Sequence, residues 1–241
     1  MLSHDRCDHC KKESAEPLLR CSCQAVSYCN KDCQKAGWKQ HKPACPPFRE
    51  SEVAGKGKGL RATRRIPRYS VILEEDPVLV GDQNNNAGGE EKLWQDFQNL
   101  SLSEQTVPNQ QIQDVLKLFD PEASKDDSSV SDKLKRIMGV NSIKLTNKLT
   151  NKTSQNLYLR ISRINHSCRP NSVWKPDVHS NRCAVVSLVT IEKHEEITVN
   201  YSFNLTDPRG QFCLSYQERQ LKLISLYSFQ CFCQLCQQVR S

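Results

Sequence analysis

The spacing of the cysteines constrains this chain more than any other feature. Thirteen occur in 241 residues, and the first 47 residues carry Cys7-x2-Cys10, Cys21-x-Cys23, Cys29-x3-Cys33 and His41-x3-Cys45. A structural zinc ion takes four nitrogen or sulfur ligands at the corners of a tetrahedron, and a short knuckle offers two of them. Four ligand pairs therefore make two sites. Residues 31 to 42 are helix-forming, which puts Cys29/Cys33 and His41/Cys45 at opposite ends of one helix and on different ions. Spacing alone leaves the pairing open. His4 and His9 are rivals to His41, although neither has a partner at ligand spacing. The bland alternative, scattered buried thiols, would need four ligand pairs to fall within 39 residues by chance.

Metal outranks disulfide here because of the expected compartment. The N-terminus, MLSHDRCDHC, carries charges where a signal peptide has its apolar run, and no long apolar run follows. The chain reads as a soluble intracellular monomer of the nucleus and/or cytoplasm, away from membranes, where thiols stay reduced. A hydrophobic fraction of 37% and a mean hydropathy of -0.65 are low for one well-packed core, so metal must help hold the fold. The formal charge of +7 points toward nucleic acid until the thiolates are counted. Eleven of them on three divalent ions would lower it to about +2. The basic run Arg61–Arg68 is then better read as solvated charge than as a primary nucleic-acid surface.

The chain divides into residues 1–47, 48–210 and 211–241. Cys45-Pro46-Pro47 closes the first segment, and Gly55–Val80 predicts two short strands broken by Pro67 and Pro77. Gly81–Glu91 is a loop by composition, and a helical insert spans about 92–140. Within that insert Leu93, Trp94, Phe97 and Leu100 share one face, and Ile112, Val115, Leu116 and Phe119 share another. A third helix, Lys133–Met138, should stop at Gly139. Strands are expected at Tyr158–Ile164, Cys183–Ile191 and Glu196–Tyr201, the last two as a hairpin closed by EKHEE. A final helix, about Tyr216–Tyr227, leads to Cys231-x-Cys233-x2-Cys236, which is one ligand short of a tetrahedral zinc site. The fold class is α+β: a small zinc-bound finger of short helices and hairpins, then a β-rich domain with a helical insert and a cysteine-rich tail.

Two further stretches carry chemistry. GKGKGLRA lacks the Lys-Ser/Thr of a phosphate loop and no helix pattern follows it, but alternating glycines let a ligand lie against bare backbone. RINHSCRPNS puts a histidine beside a serine and a cysteine. A covalent mechanism would need an oriented acid partner, and nothing in the sequence points to one.

CDHC…CSCQAVSYCNKDCQKAGWKQHKPAC closely resembles a MYND zinc finger. The resemblance implies interleaved sites, one ion on Cys7, Cys10, Cys29 and Cys33 and the other on Cys21, Cys23, His41 and Cys45. It also implies binding to proline-rich segments of partner proteins. GKGKGLRA, NSIKLTN, RINHSCRPN, EEITVNY and YSFQCFCQLC, in that order, resemble the SET domain of protein-lysine methyltransferases, and most closely the SET-and-MYND (SMYD-type) group. That likeness implies S-adenosylmethionine and a protein substrate meeting in a narrow channel. The NHSC segment and the segment ending in Tyr201 would cross beside the cofactor. By resemblance Tyr201 is the catalytic tyrosine, and the backbone around Lys58 and Gly59 cradles the cofactor with Lys56 facing its carboxylate. Asn141, Asn165 and His166 would hydrogen-bond the cofactor, while Tyr227 and Phe229 would pack beside its adenine. Cys168 would complete a third zinc site with Cys231, Cys233 and Cys236, leaving Cys183 and Cys213 as core residues or free thiols.

Three departures keep a non-enzymatic adaptor or corepressor open as the alternative. The finger precedes GKGKG rather than interrupting the domain. Lys56 and Lys58 replace an arginine and an asparagine, and the sequence ends soon after Cys236, where SMYD-type proteins usually continue into a helical domain.

Overall fold

In a computed structural model of the chain, the described residues are 6–14, 17–23, 25–82, 130–147, 149–201 and 214–238. The helices expected around Leu93–Leu100 and Ile112–Phe119 lie outside them, as do His4 and Cys213.

The finger is built on little apolar matter. β1 (Leu19–Arg20) pairs antiparallel with β2 (Ser27–Tyr28), and Asn30 caps α1 (Lys31–His41) by accepting from the Cys33 amide at 2.8 Å. Buried Tyr28 packs where α1 carries Gly37, and a Cβ at Gly37 would stand 2.6 Å from its ring. Among the described residues here, the other buried side chains are Cys7, Cys21, Cys23, Cys45 and the small polar Ser27, so the ligands themselves make most of the core.

The strands of the second segment start earlier, at Phe48 rather than within Gly55–Val80, and are more numerous than expected. β3 (Phe48–Val53) forms a hairpin with β4 (Gly57–Ala62), and β5 (Val71–Glu75) and β6 (Leu79–Asp82) follow. Gly55 and Gly57 take φ of +71° and +70°, which the β3–β4 turn requires and which other residues resist. The charged Arg49, Glu50 and Glu52 hid β3 from a hydrophobicity reading.

Three sheets carry the rest. After α2 (Val130–Asn141), β7 (Ile143–Thr146) and β8 (Thr153–Leu157) join β6 in the order β6-β8-β7. β10 (Ser172–Pro176) and β11 (Cys183–Ser187) form a hairpin flanked by β5, in the order β10-β11-β5. The remaining sheet runs β3-β4-β12-β9, with β9 at Asn165–His166 and β12 at Glu196–Val199. β12 is antiparallel to β4 but parallel to β9, pairing Thr198 with Asn165 and Val199 with His166.

Three expectations need correction. Cys183–Ile191 and Glu196–Tyr201 are not a hairpin, because β11 finds its partners in β10 and β5 while β12 enters another sheet. Tyr158–Ile164 is not a strand, because Ile161–Arg163 is a 3-10 turn. Tyr158, Ile161 and Ile164 are all buried, and their three-residue spacing is the period of that turn. The Glu75 carboxylate starts it by accepting the amides of Arg160 and Ile161 at 3.1 and 3.0 Å. Finally, α2 is longer than Lys133–Met138 and runs through Gly139 to Asn141, Gly139 keeping helical backbone there instead of ending the helix.

Leu60, Ala62, Ile164, Ile197 and Val199 bring the four-stranded sheet into one core with Tyr158 and Ile143. Each fully buried aliphatic side chain stabilises by roughly 1.5–3 kcal/mol. The C-terminal segment differs. α3 (Tyr216–Tyr227) begins with a capping box between Ser215 and Glu218, and α4 (Gln234–Gln238) carries the last tail cysteine, Cys236. α3 turns Leu223, Gln220 and Arg219 inward onto a cysteine cluster rather than onto the main core. Among the described residues, no helix is long and apolar enough to cross a membrane.

Candidate active site and metal centres

Folding gathers twelve ligands into three sets: Cys7, Cys10, Cys29 and Cys33; Cys21, Cys23, His41 and Cys45; and Cys168, Cys231, Cys233 and Cys236. Within each set the ligand atoms lie within 4.8 Å of one another. A tetrahedral ion with zinc–sulfur bonds of about 2.3 Å sets neighbouring sulfurs about 3.8 Å apart. The Sγ separations are 3.8 Å for Cys10–Cys29, 3.9 Å for Cys21–Cys45 and 3.6 Å for Cys168–Cys236. Cys23 Sγ lies 3.2 Å from His41 Nε2. The three sets fit three zinc ions. His9 joins none of them, its Cβ lying instead beside Gly37, and Cys183 is fully buried in the main core.

A cavity of about 640 Å³ opens where β9, the end of β12, the β3–β4 turn, α2 and the tail meet, a size suited to a small-molecule ligand. Its wall includes Lys56, Asn141, Asn165, His166, Tyr201 and Tyr227, with Phe229 beside them. Lys58 and Gly59, expected in the cradle, are not among the residues that line it. The exposed backbone is one turn earlier, at Ala54–Lys56. β4 alternates past the cavity, and the Lys58 ammonium pairs with Glu50 at 3.2 Å while its carbonyl accepts from Asn165 at 3.2 Å.

Gly59 matters from behind the wall. A Cβ there would stand 2.6 Å from Asn165 Nδ2 and 2.8 Å from Val53. Gly59→Ala should therefore cost about 1–3 kcal/mol in urea unfolding and displace the Asn165 amide. Unchanged stability would show that this approach is looser than drawn.

Glu196 was not anticipated. One carboxylate oxygen pairs with Lys56 Nζ at 2.7 Å, and the other accepts from Asn165 Nδ2 at 2.9 Å. It ties the β3–β4 turn to β9 across β12. Asn171 does similar work after the NHSC motif, donating to the Glu196 carbonyl at 2.8 Å and accepting from the Thr198 amide at 2.9 Å. At the end of α2, Asn141 donates to Ile137 O at 3.1 Å and its carbonyl accepts from Ser162 at 2.9 Å.

Tyr201 stands at the centre of an aromatic cluster. Its ring stacks on Trp174 at 5.9 Å and 11° and lies 5.0 Å from Tyr227, with Phe229 edge-on at 6.2 Å. Its hydroxyl donates to the Ile164 carbonyl at 2.9 Å. Burial pushes the phenol's pKa upward, so it stays protonated and acts as a donor near neutral pH. Burial also pushes the His166 pKa down to about 4, keeping that ring neutral. Trp174 escaped the sequence reading because an aromatic in a strand looks like core. No spacing marks it as a wall of the cavity.

Fold and site define a two-part protein: a finger with two metal-ligand sets, and a β-rich domain whose aromatic cavity is tied to a third. A SET domain matches residues 57–202 and a MYND finger matches residues 7–45. The chain belongs to the SET-domain family, with the MYND finger preceding the SET domain. It is similar to the histone-lysine N-methyltransferase ASHR1 of Arabidopsis thaliana, 29% identical over 97% of this chain and 46% of that protein. The histone-lysine N-methyltransferase SMYD3 of Homo sapiens is also 29% identical, over 96% of this chain and 51% of its own length. The SET domain and MYND-type zinc finger protein 6 of Schizosaccharomyces pombe is 24% identical over 96% of this chain. The chain spans about half the length of the curated relatives it matches.

Proposed function

We propose that this chain is an S-adenosylmethionine-dependent protein-lysine N-methyltransferase whose finger docks proline-rich segments of partner proteins. The observation that carries the reading is the neutral, half-buried Tyr201 phenol, held by the Ile164 carbonyl in an aromatic wall beside Asn165 and His166.

The cavity's residues suit that cofactor. The bare backbone at Gly55 and the Asn141 and Asn165 side chains offer polar contacts, while Tyr227 and Phe229 offer faces for a planar base. The cofactor supplies an electrophilic methyl group on a sulfonium. An attacking lysine must be neutral, yet its free pKa is about 10.4. An aromatic wall desolvates the ammonium and favours its loss of a proton. Tyr201, acting as a donor rather than a base, and the Ile164 carbonyl then fix the direction from which an amine can approach.

Calorimetry on the zinc-loaded chain should show one cofactor site. Labelled cofactor should mark lysines in histones or other proteins when read by mass spectrometry. Absence of cofactor binding by folded, zinc-loaded protein would end this reading. The adaptor alternative has one observation in its favour, since Glu196 already engages the Lys56 ammonium. The same calorimetry separates the two.

A further inference from the structure

His166 lies between the third metal set and Tyr201, and both of its ring nitrogens are engaged. Nδ1 stands 3.2 Å from the Tyr201 backbone nitrogen, and Nε2 stands 3.3 Å from Cys168 Sγ. A backbone N–H can only donate, so Nδ1 must be the acceptor and carry no proton. A neutral imidazole then has its one proton on Nε2, directed at Cys168. Metal-bound cysteine is a thiolate, which makes Sγ an acceptor. Donor and acceptor match at both ends of the ring.

We infer that His166 is a positioning residue that couples the third metal centre to Tyr201, through the hydrogen bonds Cys168 Sγ···H–Nε2 and Tyr201 N–H···Nδ1. A second tie reaches Tyr201 from the same centre. The Tyr227 hydroxyl at the end of α3 donates to the Tyr201 carbonyl at 3.4 Å, and α3 rests on the cysteine cluster. The two peptide groups flanking Tyr201 are thereby referred to one metal ion, while its hydroxyl is held independently by Ile164. The neighbouring rings, Phe229 at 5.9 Å and Tyr201 at 5.3 Å, leave the imidazole little freedom to turn away. The sequence likeness makes His166 a position that hydrogen-bonds the cofactor; with both ring nitrogens engaged, such a contact would fall to its backbone.

A merely structural histidine would also satisfy two buried groups. The difference is that one of these groups sits on a metal, so a metal-based signal can report on it. The test is NMR on the full chain reconstituted with 113Cd, which gives one resonance per metal set. His166→Asn keeps an amide near the Nδ1 position but cannot reach Cys168, whereas His166→Gln carries a donor out toward Nε2. With Asn, one of the two all-sulfur resonances should move while both finger signals hold, and metal release should quicken about 10–100-fold. With Gln, that resonance should move back toward the wild-type position. Three unmoved resonances in the folded Asn variant would overturn the inference. If the Asn variant does not fold, 15N-histidine NMR of the wild-type protein decides. A bare Nδ1 with a protonated Nε2 supports the coupling, and the reverse tautomer overturns it. These readouts need neither cofactor nor methyl transfer. Only the consequence for catalysis rests on the function proposed above, so the two can fail separately.

Discussion

On the proposed function, Tyr201→Phe should lower methyl transfer about 100-fold or more while leaving cofactor affinity essentially in place. The substitution deletes one hydroxyl and keeps the ring, so stacking on Trp174 and packing against Tyr227 and Phe229 survive. It leaves the Ile164 carbonyl without its 2.9 Å donor, which costs about 1–3 kcal/mol of stability where the group stays dry. Single-turnover methylation beside calorimetry separates the two effects. A variant that methylates at the wild-type rate would remove Tyr201 from the mechanism, and one that loses cofactor binding would make it a wall residue instead.

Cys168→Ser should have the larger structural effect. A structural zinc ion contributes an apparent 10–16 kcal/mol in small metal-folded units, and a hydroxyl is a poor substitute for a thiolate on zinc. Among the described residues, the cysteine cluster is the centre on which the C-terminal segment packs. Leu223 is the one large aliphatic buried among Cys168, Cys231 and Cys236 in that cluster, and α3 exposes Leu221 and Leu226. Zinc content should fall from three ions to two, and amide exchange should rise across residues 214–238. Cofactor affinity should drop at least tenfold, because Tyr227 and Phe229 are placed by that segment. Retention of all three ions with unchanged affinity would show that the tail docks without its metal.

The contrast between these substitutions explains what could be read in advance. Most of the metal ligands declare themselves through spacing, because a short knuckle puts two ligands for one ion close together in sequence. Cys168 was the exception. It lies 63 residues before Cys231 and stands alone in the sequence, so only the motif resemblance pointed to it. Helices α1 and α3 were equally legible, since caps, apolar period and chain length agree within one short segment. Strands were not. β3 is rich in charge, β12 pairs with β4 and with β9 from distant parts of the chain, and the Tyr158–Ile164 run mimics a strand while turning as a 3-10 helix.

The cavity divides in the same way. Tyr201, Asn165 and Asn141 carry their chemistry in their own types, so a motif could name them. Glu196, Trp174 and Asn171 gain theirs from what they reach: Lys56 at 2.7 Å, the Tyr201 ring at 5.9 Å, the Thr198 amide at 2.9 Å. His166 belongs to both groups. Its identity was plain in NHSC, but the direction of its two nitrogens was set by the parallel pairing of β9 with β12 and by the tail folding back onto Cys168. By itself the sequence determined two of the three metal-ligand sets in outline, the finger helix and the C-terminal helix, because those features depend on neighbours within a few residues. The tertiary structure alone decided which surface lines the cavity and how the third metal set reaches Tyr201. Those contacts join segments far apart in the chain, and their geometry depends on strand register.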